Sequence, residues 1–164
     1  MNKRIDFSSF RIKKMTQDIT IRYATEHDLA SILGLLMDLA IYEKAEDQVK
    51  VTIKQLTKDF QEGIFQAQVA VNEYSEVMGM TLYYITYSTW KGKMLYLEDF
   101  VIAEKHRRKG IGRLLFNSVI TEAKKQDCKL MKWQVLDWNE SAINFYKSYD
   151  ATIEDEWFNG KIIF

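Results

Sequence analysis

Three consecutive stretches, residues 65–71 (FQAQVAV), 77–88 (VMGMTLYYITYS) and 94–102 (MLYLEDFVI), are dominated by β-branched, aromatic and other apolar residues. Turn material separates them, at 72–76 and 91–93. Connections this short join neighbouring strands as antiparallel hairpins, because a parallel return needs a crossover of a dozen or more residues. The chain is thereby committed to a sheet with an antiparallel meander at its centre.

The flanking segments supply cover for that sheet. Residues 19–24 (ITIRYA) alternate as a short strand, and Thr25 with Asp28 three residues later predicts a helix start with an acidic first turn. Leu29, Ile32, Leu33, Leu36, Leu39 and Ala40 then recur at helical spacing. Thr52 is placed to cap a second short helix through Phe60, which Gly63 ends. After the meander come a helix over 110–125, with Ile111, Leu114, Leu115, Ser118, Val119, Glu122 and Ala123 as its inner face, a strand over 130–136, and a helix opening at Asn139. A last strand pair is expected in 151–164, with Asn159 and Gly160 as its hairpin turn. The order is β-α-α-β-β-β-α-β-α-β-β.

Length and composition narrow the functions open to such a chain. At 164 residues one core is expected, in a domain covering 18–164, with 1–17 as a basic, weakly patterned extension. The 23 basic and 23 acidic residues balance, so no global field favours nucleic acid or anionic lipid, and any anion site must arise from local clustering. No apolar run approaches the ~20 residues of a membrane helix, and the N-terminus lacks the apolar segment of a signal peptide, which predicts a cytoplasmic protein. Cys128 has no second cysteine to pair with, and with only His27 and His106 beside it a Cys/His metal site lacks ligands.

Local clustering is found at 106–112, HRRKGIG, between a strand and a helix. A helix start presents unpaired amides at a positive dipole end, which suits a phosphate. Gly110 and Gly112 let backbone approach an anion, and Arg107, Arg108 and Lys109 add charge around it. The pattern is neither a P-loop, since no Lys-Ser/Thr follows the second glycine, nor the dinucleotide GxGxxG.

With Glu98 and Asp99 in the preceding strand and NESAINFYKS (139–148) after it, the chain resembles the GNAT superfamily of acetyl-CoA-dependent N-acetyltransferases. Its phosphate turn, Q/R-x-x-G-x-G/A, is met by Arg107, Gly110 and Gly112. LAIYEKAEDQV, YYITYSTWKGKMLYLEDFVI, RRKGIG and WNESAINFYKS look like the spermidine/spermine (diamine) acetyltransferase group and its thialysine-acetylating relatives, over about 18–158. The resemblance implies an α/β fold of the GNAT type, a mixed, mostly antiparallel sheet with helices on both faces that splays between its fourth and fifth strands.

It also implies roles. Backbone amides around Arg108, Lys109, Ile111, Gly112 and Arg113 would hold the pyrophosphate, and the strand edge at Phe100, Val101 and Ile102 would pair with the pantetheine amides. Asn139 and Ala142 would touch acetyl-CoA from the start of their helix. Tyr42, Glu43, Glu98 and Trp133 would face a small-molecule amine, Glu98 would serve as base and Tyr146 as the acid for the departing thiolate. A homodimer is what the family suggests.

Beside these stand plainer expectations. Glu98 and Asp99, as strand neighbours, should point to opposite faces. His106 should be an exposed turn residue, and Met78, Met80, Trp133 and Trp138 should pack. Cys128 should be partly buried, without a role. Arg108 replaces a small residue of the family's turn, Ser141 a proline and Asp150 a glycine, the last implying a left-handed non-glycine. Glu154, Asp155 and Glu156 receive no role. Rival readings are a protein or peptide N-acetyltransferase and a CoA-binding domain without chemistry.

Overall fold

The computed structural model describes residues 19–163, which divide into two compact units, one ending at Lys132 and the other beginning at Trp133. The segment 1–17 set apart as an extension lies outside the described residues.

The first unit is built on a five-stranded sheet in the order β1 (Thr20–Tyr23), β2 (Gln66–Val71), β3 (Val77–Ser88), β4 (Gly92–Ile102), β5 (Leu130–Lys132). Strands β1 to β4 pair antiparallel, and β5 joins β4 in parallel. Helices α1 (Leu29–Tyr42) and α2 (Ile53–Gln61) cover one face, burying Leu29, Ile32, Leu35 and Leu56 against Val69, Met80, Leu82 and Val101. Helix α3 (Ile111–Lys125) covers the other, where Ile111 and Leu115 pack with Ala70 and Met78, and Phe116 stacks on Phe100 at 5.7 Å. Phe116 belongs to the buried face of α3, whereas Leu114, assigned inward by spacing, is 45% exposed.

Local chemistry fixes the element ends. Asp28 is buried: its carboxylate accepts from the Thr25 amide at 2.8 Å and from both Arg22 guanidinium nitrogens at 2.7 and 2.9 Å. The Arg22 hydrogen bonds chiefly hold its carboxyl down at about 2. Thr52 caps α2 by accepting from the Gln55 amide at 3.2 Å, and Gly63 leaves that helix with a φ of +71°.

Two irregularities shape the functional end of the sheet. Pairing of β4 with β5 runs only from Met94 opposite Leu130 to Tyr96 opposite Lys132. The strand predicted over 130–136 therefore stops at Lys132, and 97–102 of β4 keeps β3 as its ladder partner. In addition, the β3–β4 register slips between Leu82 and Tyr83, which face Asp99 and Leu97, so Glu98 is the extra residue of a β-bulge.

Gly79 in β3 lies against this segment. A Cβ there would come 2.6 Å from Ile102 Cδ1 and 2.8 Å from the Val101 carbonyl oxygen, and the latter is backbone that cannot rotate away. Gly79→Ala is therefore expected to lower the urea midpoint by an amount equivalent to about 1–3 kcal/mol. An unchanged midpoint would show that β4 yields freely here.

In the second unit, Asn139 caps α4 (Glu140–Lys147), its Oδ1 accepting from the Ala142 amide at 3.2 Å. Asp150 follows the helix with a φ of +56°, the left-handed conformation expected there. The predicted final strand pair does not form: 151–163 carries no regular secondary structure, and Trp157, Phe158, Ile162 and Ile163 are exposed. An Asn-Gly turn is a local signal, and a two-stranded ribbon needs a third strand or an apolar surface to be stable. Trp138, expected to pack, is likewise half exposed.

Candidate active site

The anion turn forms as its sequence predicts, but its residues divide the work differently. After a short 3-10 turn at Glu104–His106, Arg108 and Gly110 both take left-handed backbone, with φ of +59° and +84°. Gly110 is the N-cap of α3, and the first intrahelical bond, from the Leu114 amide to the Gly110 carbonyl, leaves the amides of Ile111 and Gly112 without an intrahelical acceptor. No described atom lies within 4 Å of a Gly110 Cβ, so that glycine is required by conformation. Gly112 packs close to β4, and a Cβ there would sit 3.4 Å from Phe100 Cζ, the near edge of ordinary contact.

Of the three cations, Arg107 is committed elsewhere: its Nε donates to the Ile102 carbonyl at 3.1 Å, and its guanidinium lies 5.6 Å from the Tyr42 ring centroid. Arg108 and Lys109 are exposed beside the turn. A left-handed arginine costs about 1 kcal/mol, strain of the kind that persists at functional sites. An open left-handed backbone, the start of a 15-residue helix and two exposed cations fit a pyrophosphate.

One strand away from the turn, the bulge gathers carboxylates. Leu97 lies opposite Tyr83, whose hydroxyl feels Glu122 of α3, so Leu97 is on the α3 face. Phe100 and Ile102 also pack on the α3 side, whereas Val101 belongs to the α1 side. Inward parity thus changes between 97 and 100, and Glu98 and Asp99 share the α1 face. The expectation that they point to opposite faces is overturned, because strict alternation fails at a bulge.

The carboxyl of Asp99 is pushed up to about 6, first by burial and then by the charges of Glu98 and of Glu43, the residue closing α1. Burial also raises Glu43. Glu98 is exposed, and its Oε2 accepts from the Tyr84 hydroxyl at 2.9 Å. Burial and that bond push Tyr84 up to about 12, so it remains a donor, and its ring stacks on Tyr96 at 5.4 Å. The sequence reading missed Asp99 as a member of the site. The signal was present: Leu95 and Leu97 set one parity of inward residues, Phe100 and Ile102 the other.

In the second unit, Tyr146 is buried, and burial pushes its hydroxyl up to about 12. Its ring lies 4.8 Å from that of Trp133 and meets Phe145 edge-on at 5.6 Å. Asn139, Ala142 and Tyr146 thus share one short helix with its cap, and Trp133 packs on Tyr146. Tyr42, Glu43, Glu98 and Arg107 belong to the first unit, with Tyr42 under Arg107 and Glu43 and Glu98 acting jointly on Asp99.

His106 is a further correction, being 6% exposed rather than an exposed turn residue. Among the described residues, no cluster of three or more His, Cys, Asp or Glu could hold a metal ion, and no helix is long and apolar enough to cross a membrane.

Comparison with known proteins agrees with this geometry. Residues 29–150 match the acetyltransferase (GNAT) family. The chain is similar to thialysine N-epsilon-acetyltransferase of Bos taurus, 38% identical over 142 residues that cover 81% of this chain and 84% of the relative. It is also similar to spermidine/spermine N(1)-acetyltransferase-like protein 1 of Homo sapiens, 33% identical over 148 residues, covering 84% of this chain and 21% of that longer protein. Among solved structures, an aminoglycoside acetyltransferase from an uncultured soil metagenomic sample superposes with a TM-score of 0.73 at 18% identity, covering 89% of this chain and 96% of the other, and shares its fold.

Proposed function

The chain belongs to the acetyltransferase (GNAT) family, and from that membership we propose that it moves the acetyl group of acetyl-CoA to a primary amine of a small cationic molecule, a polyamine, diamine or thialysine-like amino acid. One observation carries the substrate class: Glu98 and Glu43 both act on Asp99 at the strand that runs into the anion turn. Three carboxylates held together favour a ligand that brings positive charge.

The thioester, when bound, supplies an activated acyl group, and the chain's residues supply the rest. The first-turn amides of α3, with Arg108 and Lys109, hold the pyrophosphate, and the β4 edge at Phe100, Val101 and Ile102 orients the pantetheine arm. Glu43 and Glu98 draw in the cation. A primary amine of pKa ~10.4 is neutral in roughly one molecule in 2,500 at pH 7, so a proton must leave the ammonium before its nitrogen can attack. Glu98 and Asp99 share that task, with Asp99 as the acceptor whose pKa lies nearest neutrality. A strand N–H near Phe100 steadies the oxyanion, and Tyr146 donates its proton to the departing sulfur. The relatives' names support this reading: one is a thialysine acetyltransferase, another a spermidine/spermine acetyltransferase-like protein. On the family resemblance alone the proposal extends to a cytoplasmic homodimer.

Purified protein given acetyl-CoA and a panel of polyamines, lysine analogues and aminoglycosides is expected to release free thiol with at least one di- or polycationic amine. Silence across the panel with turnover on peptide N-termini would move the assignment to a protein acetyltransferase. Tight CoA binding without turnover on any acceptor would leave a non-catalytic domain.

A further inference from the structure

The turn that carries Arg108 and Gly110 is entered from a residue whose side chain reaches a different part of the sheet. His106 Nε2 lies 3.1 Å from Glu76 Oε1, in the connection between β2 and β3, and the ring is buried while Glu76 is partly exposed. Glu76 is itself held. Its Oε2 accepts from Asn72 Nδ2 at 2.8 Å, and Asn72 Oδ1 accepts from the amides of Tyr74 and Glu76 at 3.0 and 2.9 Å. Lys105 reaches the same Oε1 at 2.5 Å.

The two donors to Glu76 Oε1 are not equivalent. Lys105 is 71% exposed, and an exposed pair of this kind contributes little because water competes for both charges. The buried imidazole has no such competition. Lys105 and then His106 hold the Glu76 carboxyl down at about 2, so it is ionised and accepts only, and the ring proton is on Nε2. Nδ1 of the same ring is buried without a partner among the described residues, which leaves the Glu76 bond as the ring's own anchor.

This bracket stands two residues ahead of Arg108, in a turn whose left-handed residues Arg108 and Gly110 lie between two anchored ends. The far end is α3, whose first bond starts at Gly110. On the near side the Ala103 amide bonds the Met78 carbonyl at 2.9 Å, and the His106 side chain ties the same segment to Glu76. We propose that His106, latched to Glu76, is a positioning residue that holds the phosphate turn at the pitch its anion requires, so that it governs affinity for the nucleotide end of acetyl-CoA and leaves chemistry at the amine untouched. The inference rests on the cofactor reading above.

The test compares acetyl-CoA with acetyl-pantetheine, which keeps the thioester and lacks the pyrophosphate. His106→Leu fills the buried space without a donor, and His106→Gln returns an N–H. His106→Leu is expected to raise the KM for acetyl-CoA on the order of tenfold, the scale of one lost charge-assisted bond. Its kcat, the amine KM and the kcat/KM for acetyl-pantetheine should stay at wild-type values, and His106→Gln should recover most of the loss. Should His106→Leu fail to fold, Glu76→Gln, which removes the charge and turns one of the two accepting oxygens into a donor, is expected to show the same donor-selective rise in smaller measure. Equal losses with both donors, or an unchanged KM for acetyl-CoA in a folded variant, would overturn the proposal. A wild-type enzyme that uses acetyl-CoA no better than acetyl-pantetheine would instead sink the pyrophosphate site itself.

Discussion

Replacing Asp99 by Asn is expected to abolish the acid limb of the pH profile of kcat/KM, which in the unaltered enzyme is centred near 6, and to lower kcat/KM by about two orders of magnitude, the lower end of what a positioned base contributes. The sign follows from the causes of the shift. Burial is the largest and Glu98 the next, so removing the charge of Glu98 should bring Asp99 down and move the limb to lower pH without erasing it. Glu98→Gln and Asp99→Asn therefore differ in kind: the first displaces the limb and the second deletes it. If Glu98→Gln deletes the limb and Asp99→Asn keeps it, the proton acceptor is Glu98.

The same shift has a consequence for stability. The folded carboxyl of Asp99 titrates near 6, above its ordinary value of 3.8, so the folded state holds a proton that the unfolded chain has already lost between those values. Stability should fall as pH rises through that window and stay lowered above it, by at most about 3 kcal/mol at neutrality. Asp28 runs the other way: held at about 2, it stabilises the fold above pH 4, a contribution lost as pH falls through 2. Asp99→Asn should thus be more stable than the unaltered protein at pH 7.5, with only about a third of that gain left at pH 4.5, measured by urea unfolding. The pairing of lost activity with gained stability would mark a site held together against its own charge.

The elements that were legible in advance are those whose signals are local. Thr52 caps the helix it was expected to cap, Asn139 opens α4, Asp150 adopts the left-handed conformation, and β3 spans the predicted 77–88. What depended on partners distant in sequence was not legible. The Asn159-Gly160 turn is a sound local signal, but 151–163 forms no strand pair, and β5 pairs with β4 only as far as Lys132. His106 reads as an exposed turn residue until Glu76, 30 residues earlier, is placed beside it. Glu98 and Asp99 lie between. Their shared face follows from a change of parity visible in the strand's own apolar residues, but the charge that reaches Asp99 from Glu43 comes from the end of a helix distant in sequence.

Tyr146→Phe is the second large effect expected, a fall in kcat of about a hundredfold or more with CoA affinity retained. The ring is what packs: it sits 4.8 Å from Trp133 and 5.6 Å from Phe145, and phenylalanine keeps both contacts, so the substitution removes a hydroxyl from a buried position and little else. Burial pushes that hydroxyl up to about 12, which keeps it protonated at every working pH. A donor of this kind gives no basic limb below about pH 11, so any basic limb seen at lower pH belongs to another group. Its low acidity also sets what it could do: it would protonate a sulfur that has become thiolate as the C–S bond breaks, and not the intact thioester. The loss should therefore appear in kcat and kcat/KM together, leaving the dissociation constant of CoA measured by calorimetry unmoved. A variant that keeps its kcat would remove Tyr146 from the chemistry, and one that loses CoA binding in proportion would make it part of the cofactor's wall.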